Sequence, residues 1–171
     1  MTKIFLTAAC ALLVPAAALA QTFTIPERIE RLSAKAKESM NITLDGPLLQ
    51  LAGQFLNSGD SDERAAKEIV SKLRGIHVRN FEFAREGEYS DADLDAIHSQ
   101  LKPPAWTRVI DSREEGEHTE VFVKQENNML GGIVILAAER TELSIVSIDG
   151  PINLKQLSTL GGKFGIPNVP K

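Results

Sequence analysis

Apolar residues at Leu48, Leu51, Ala52, Phe55 and Leu56 follow the i, i+3, i+4, i+7, i+8 spacing of a core-facing helix. A second helix follows the loop Asn57-Ser58-Gly59-Asp60. It starts at Ser61-Asp62, carries Ala66, Ile69, Val70 and Leu73 on one face, and meets a stop signal at Gly75. A third is announced by the capping pattern Ser90-Asp91-Ala92-Asp93, has Leu94, Ile97 and Leu101 as its stripe, and is stopped by Pro103-Pro104. Two strand-like runs accompany these helices: Met40–Leu44 precedes the first, and Ile76–Arg85 lies between the second and third. In the second, Ile76 and Val78 share one phase and Phe81 and Phe83 the other. That switch predicts a bulge near Asn80 or a strand covered on both sides.

The period changes after Ala105. Trp106–Asp111, Thr119–Gln125, Ile133–Ala138 and Leu143–Ile148 have strand composition, with short polar links between them. Gly116, Asn127 and Asn128 supply the positive φ that tight turns need. Short links cannot make parallel crossovers, so these four runs form an antiparallel meander. Its centre is the hairpin Ile133–Ala138 and Leu143–Ile148, closed by Glu139–Glu142. Asp149-Gly150-Pro151 then closes the last strand and opens a helix with Leu154, Leu157 and Leu160, which Gly161-Gly162 ends. Asp45-Gly46-Pro47 repeats this strand-turn-helix grammar. Duplication is one reading of the echo; the turn chemistry of Asp-Gly-Pro explains it without duplication. The expected fold class is α+β: an antiparallel sheet of five or six strands with a C-terminal four-strand meander and helices packed mainly on one face.

The N-terminus sets the address. Lys3 precedes an apolar run, Ile4–Val14, and Ala18-Leu19-Ala20 has the small-x-small pattern of a cleavage site before Gln21. Residues 1–20 therefore read as a cleaved secretory signal peptide, and the run is too short for a transmembrane span. Residues 21–37 form an N-terminal amphipathic helix, opened by Thr24 and Glu27 as a capping box and striped by Ile29, Leu32 and Ala36. Residues 38–171 form a single α+β domain. The expected localisation is exported, periplasmic or extracellular. Cys10, the only cysteine, lies inside the signal, so the mature domain is free of disulfides and thiolates. Thr7-Ala8-Ala9 lacks the leucine of a lipid-anchor site, which argues against lipid anchoring at Cys10.

Loss of Lys3 with the signal leaves 18 basic against 23 acidic residues, a net charge of −5. Such a domain does not supply the field that a phosphate backbone demands, so nucleic acid is not an expected partner. The search for chemistry assigns no catalytic, cofactor-binding or metal-binding residues. His77, His98 and His118 are too far apart in sequence to make a local ligand pair; His98 reads as a rim or core residue. Asp91, Asp93 and Asp95 resemble the start of a calcium loop, but Ala96 replaces its glycine and Lys102 its bidentate glutamate. Gly161-Gly162-Lys163-Phe164-Gly165 lacks the Ser or Thr of a phosphate loop and follows a helix instead of preceding one. Glu86 and Glu88 are acids among many, and Trp106 and Tyr89 are structural aromatics or partner anchors.

One family shares these features. The run Leu73-Arg74-Gly75-Ile76-His77-Val78-Arg79-Asn80-Phe81-Glu82-Phe83, the stretch Glu142–Leu154 and the stretch Leu160–Pro167 resemble the signature segments of the exported bacterial family catalogued as domain of unknown function 4252. Trp106 after the proline break fits the same pattern. His77 stands where the family commonly has Tyr, and Asp149 where it has a small residue. The resemblance implies secreted or lipid-anchored envelope proteins of this size, some encoded near extracytoplasmic sigma factors and their membrane regulators. It carries over no activity, cofactor or catalytic residue.

The resulting expectation is a non-catalytic protein-binding or envelope-signalling accessory protein with an envelope protein as partner. Two alternatives stay open. A periplasmic hydrolase with a scattered Ser/His/Asp site requires His98 or His77 beside a serine and a carboxylate. A small apolar-ligand carrier requires an apolar cavity of roughly 300 Å3 or more between sheet and helices.

Overall fold

The computed structural model describes residues 22–55, 61–126 and 129–152. Six strands form one antiparallel sheet: β1 (Glu38–Asp45), β2 (Gly75–Glu82), β3 (Trp106–Glu114), β4 (Glu117–Glu126), β5 (Met129–Ala138) and β6 (Glu142–Ile152). The order across the sheet is β1-β2-β6-β5-β4-β3. The expected meander is present as β3 to β6, and β6 brings it back beside β2. The edge strands are β1 and β3.

Pleat alternation sorts the apolar residues onto two faces. Phe81, Phe122, Val134, Leu136, Leu143 and Ile145 join one core cluster. Ile29 of α1 (Glu27–Glu30), Leu32 of a 3-10 turn (Arg31–Ala34), Ile97 of α4 (Asp91–His98) and Leu101 complete it. On the other face Ile133 and Ile152 pack with Leu49 of α2 (Gly46–Phe55), Ile69 of α3 (Ser61–Val70) and Leu73. The helices are thus shared between the faces, where most were expected on one. The reason is the strands themselves: β2, β4, β5 and β6 have apolar residues in both phases, so each face needs a cover.

The phase switch in β2 has the same origin. Its register is unbroken against both β1 and β6, so no bulge forms at Asn80. Phe81 faces the first cluster and Ile76 the second. The second cluster's face also carries a β-branched row through all six strands: Ile42, Val78, Val146, Ile135, Val121 and Ile110 stand opposite one another in turn.

Three local expectations change. Residues 22–37 make only two short helical turns, and Pro26, not Thr24, is the N-cap. Thr24 instead hydrogen-bonds Gln100, through Gln100 Nε2 to the Thr24 carbonyl at 2.9 Å and the Thr24 N–H to Gln100 Oε1 at 3.2 Å. With Ile29 and Leu32 buried, this segment is fastened to the body. In α2 the buried residues are Leu49 and Gly53, whereas Leu48, Leu51 and Phe55 are exposed. β6 runs through Asp149-Gly150-Pro151 to Ile152, so no helix begins there. The predicted helix with Leu154, Leu157 and Leu160, the Gly161–Gly165 run and Cys10 lie outside the described residues. No helix among the described residues is long and apolar enough to cross a membrane.

Candidate functional site

Among the described residues a dense group of titratable side chains surrounds Glu120. In β4 the residues Glu120, Phe122 and Lys124 share the inward phase, so the strand carries this carboxylate under α4. Glu120 is 1 % exposed. A buried carboxylate must be paired and hydrogen-bonded, and two elements provide that. Arg108 of β3 donates through Nη1 to Oε1 at 2.6 Å, and His98 of α4 meets Oε2 at 2.6 Å. A register shift between Arg108 and Ile110 leaves Val109 as the extra residue. Arg108 also reaches Asp111 Oδ2 at 3.1 Å, and His118 Nε2 meets Asp111 Oδ1 at 2.8 Å. The result is a chain of alternating partners: His98, Glu120, Arg108, Asp111, His118.

Burial pushes the Glu120 carboxyl up, but the hydrogen bonds from Arg108 and His98 outweigh it and hold it below the ordinary carboxylate value. Asp111 is held low by its hydrogen bond with His118, and Arg108 is raised by its bond to Glu120. One ligand atom each from Asp111, His118 and Glu120 lie within 4.8 Å of one another. Mixed nitrogen and oxygen donors suit a divalent cation. Here the Arg108 guanidinium bridges Asp111 and Glu120, so the site already contains its own counter-cation. Its chemistry is that of a charge-assisted lock joining α4, β3 and β4.

Among the described residues no serine hydroxyl hydrogen-bonds to His77, His98 or His118. Among the described residues the relay required by the hydrolase alternative is therefore not assembled around them. A cavity of about 480 Å3 lies at the hairpin tips, lined by Glu86, Glu114, Glu115, Glu117, Glu139 and Arg140. It is acidic and lies away from the helix–sheet interface, unlike the apolar cavity a carrier requires.

The other candidates disperse. Asp93 accepts from the Ser90 N–H and Oγ, both at 2.8 Å, and from Arg28 Nε, which ties α1 to α4. Burial raises its carboxyl, and these bonds bring it below its ordinary value. The predicted capping box at Ser90 is thus present. Asp91 and Asp95 are exposed, and no calcium loop forms around them. Glu86 pairs with Arg140 and Glu88 with Arg85. Tyr89 packs on Phe83 and donates its hydroxyl to the Glu139 carbonyl. Trp106 is buried, and its ring lies against Gly132, where a Cβ would come within 3.2 Å of it. Both aromatics are structural.

Sequence reasoning missed Glu120 and Arg108. One signal was available: Glu120 occupies the same strand phase as Phe122, an acid written into an inward-facing position. It also missed that β1 and α2 leave five large apolar residues exposed, beside Val109 of β3 and Met129 of β5 elsewhere on the sheet. Met40 and Ile42 of β1 and Leu48, Leu51 and Phe55 of α2 are all exposed, Phe55 at 82 %.

The family description called Domain of unknown function (DUF4252) matches residues 33–160. The chain belongs to that family. No curated protein and no solved structure matches it.

Proposed function

We propose that this protein is an exported, non-catalytic accessory domain that binds another protein of the cell envelope. The observation that carries the reading is the apolar surface of β1 and α2. Exposed apolar surface gathered on neighbouring elements marks association sites, and Met40, Ile42, Leu48, Leu51 and Phe55 stand on β1 and on α2, which packs against it. The Glu120 network supports the same reading, because its charges are spent on each other inside the fold. Export rests on the pattern of residues 1–20, with Gln21 as the first mature residue.

The test is a crosslinking pull-down of the tagged protein from its own envelope, beside a variant with Leu48, Leu51 and Phe55 changed to Ser. The expected result is a protein partner captured by the wild type and lost by the variant. Equal capture by both, or none by either, overturns the reading. N-terminal sequencing of the exported protein should begin at Gln21.

A further inference from the structure

We infer that the β1 edge is a homodimerisation surface, on which β1 of a second copy pairs antiparallel and joins the two sheets into one. This rests on the protein-binding reading and names the partner that occupies β1.

The two edges of the sheet differ in the features that prevent pairing. β3 has the register shift at Val109 and the charges Arg108, Asp111, Arg113 and Glu114, the usual safeguards of an edge strand. β1 has no register shift, and its only charges, Glu38 and Asp45, are its two end residues. Its register with β2 is unbroken from Glu38 to Asp45. Between those two acids the sequence Ser-Met-Asn-Ile-Thr-Leu contains no charge and no proline, and every residue of β1 but Leu44 is exposed. Such a strand leaves a row of N–H and C=O groups open to another chain.

The edge is also self-complementary. In an antiparallel ladder, opposed residues belong to the same hydrogen-bonding class, so a strand can pair with its own copy only where the paired residue numbers have an even sum. The register centred on Asn41 satisfies this. Within β1 it sets Met40 against Ile42 of the second copy, Ser39 against Thr43, and Glu38 against Leu44, each twice by symmetry. The matched centre is apolar and hydroxyl-bearing, and no two like charges stand opposite one another.

The axis of this pairing runs perpendicular to the sheet, so both α2 helices lie on the same face. At 3.6 residues per turn, Leu48, Leu51 and Phe55 form a stripe turned away from Leu49 and Gly53. That stripe is available to face its copy across the axis. Stable interfaces bury roughly 1,200–2,000 Å2, and the helices add area to the strand pair.

The test uses the full chain with Cys10→Ser, which leaves no other cysteine. Sedimentation equilibrium should give twice the mass of one chain. Met40→Lys with Ile42→Lys should weaken the dimer by roughly 100-fold or more with an unchanged circular dichroism spectrum. Asn41→Cys should form an intermolecular disulfide on oxidation, since opposed antiparallel residues fall within disulfide range; Val109→Cys on the β3 edge should not. A monomeric wild type, or a dimer that survives the double lysine change, overturns the proposal. If the wild type is monomeric but the double lysine variant loses an envelope partner, homodimerisation falls and the protein-binding reading stands.

Discussion

Asp45-Gly46-Pro47 and Asp149-Gly150-Pro151 contain the same three residues and take different structures. At the first, β1 ends and α2 begins at Gly46, with the Leu48 N–H directed at Asp45 Oδ1 at 3.4 Å. At the second, the strand continues to Ile152. The difference lies in the neighbours. β1 is an edge strand, and its last residue, Asp45, is paired on one side only, with Gly75 of β2. β6 is central, and Asp149 is paired with Gly75 of β2 and with Gly132 of β5. Arg74 fixes it further, through 2.8 and 3.0 Å bonds to the Asp149 carboxylate, and also holds Glu126 at 3.1 Å. A register shift opposite Gly150-Pro151 accommodates the proline where the β2 ladder has ended. Turn chemistry permits a turn; tertiary pairing decides whether it is used.

Five changes test this contrast, taken from the largest expected effect to the smallest. Gly150 has φ +135°, and a Cβ there would lie 2.8 Å from Leu73 Cα and 3.0 Å from Arg74 N. Gly150→Ala should destabilise by about 3 kcal/mol in urea unfolding; a loss no larger than that of an ordinary surface change would remove the argument. Asp149→Ala strips Arg74 of its two-pronged partner and should cost about 1.5 kcal/mol, discounted because Arg74 is half exposed.

The third concerns pH. The hydrogen bond from Lys124, and then Arg74, holds Glu126 below its ordinary value. A carboxyl depressed in the folded state contributes stability above its unfolded pKa of about 4.3. That contribution is lost as pH falls through the folded value. Glu126→Gln should therefore flatten the decline of stability below this pH, measured by unfolding at a series of acid pH values; an unchanged slope counts against the assignment. Asp45→Ala removes a weak cap and should cost about 0.5 kcal/mol. Gly46 begins a helix, and a Cβ added there would meet nothing within 4 Å. Gly46→Ala should be neutral or stabilising by about 0.5 kcal/mol, the opposite sign to Gly150→Ala.

Much of the architecture is legible in the chain. The four runs after Trp106, the capping box at Ser90 and the positive φ of Gly116 follow from period and turn chemistry, and the structure contains them. The stripe of α2 points the other way from its expected direction. Leu48, Leu51 and Phe55 have correct helical spacing, but spacing does not say which side of a helix meets the sheet. Leu49, a single apolar residue between them, is the one that does. Glu120 is equally hard to find, since its two partners come from residues 12 and 22 positions away in the chain.

The sequence alone determined the alternation that makes an antiparallel sheet of five or six strands and the change of period that separates helices from meander. These are local properties, set by which residues follow one another. The tertiary structure decided which of two identical tripeptides turns, which phase of β2 meets which core, and which edge of the sheet is left without protection. Each depends on what stands across the ladder, and a chain read in order contains no record of its neighbours in space.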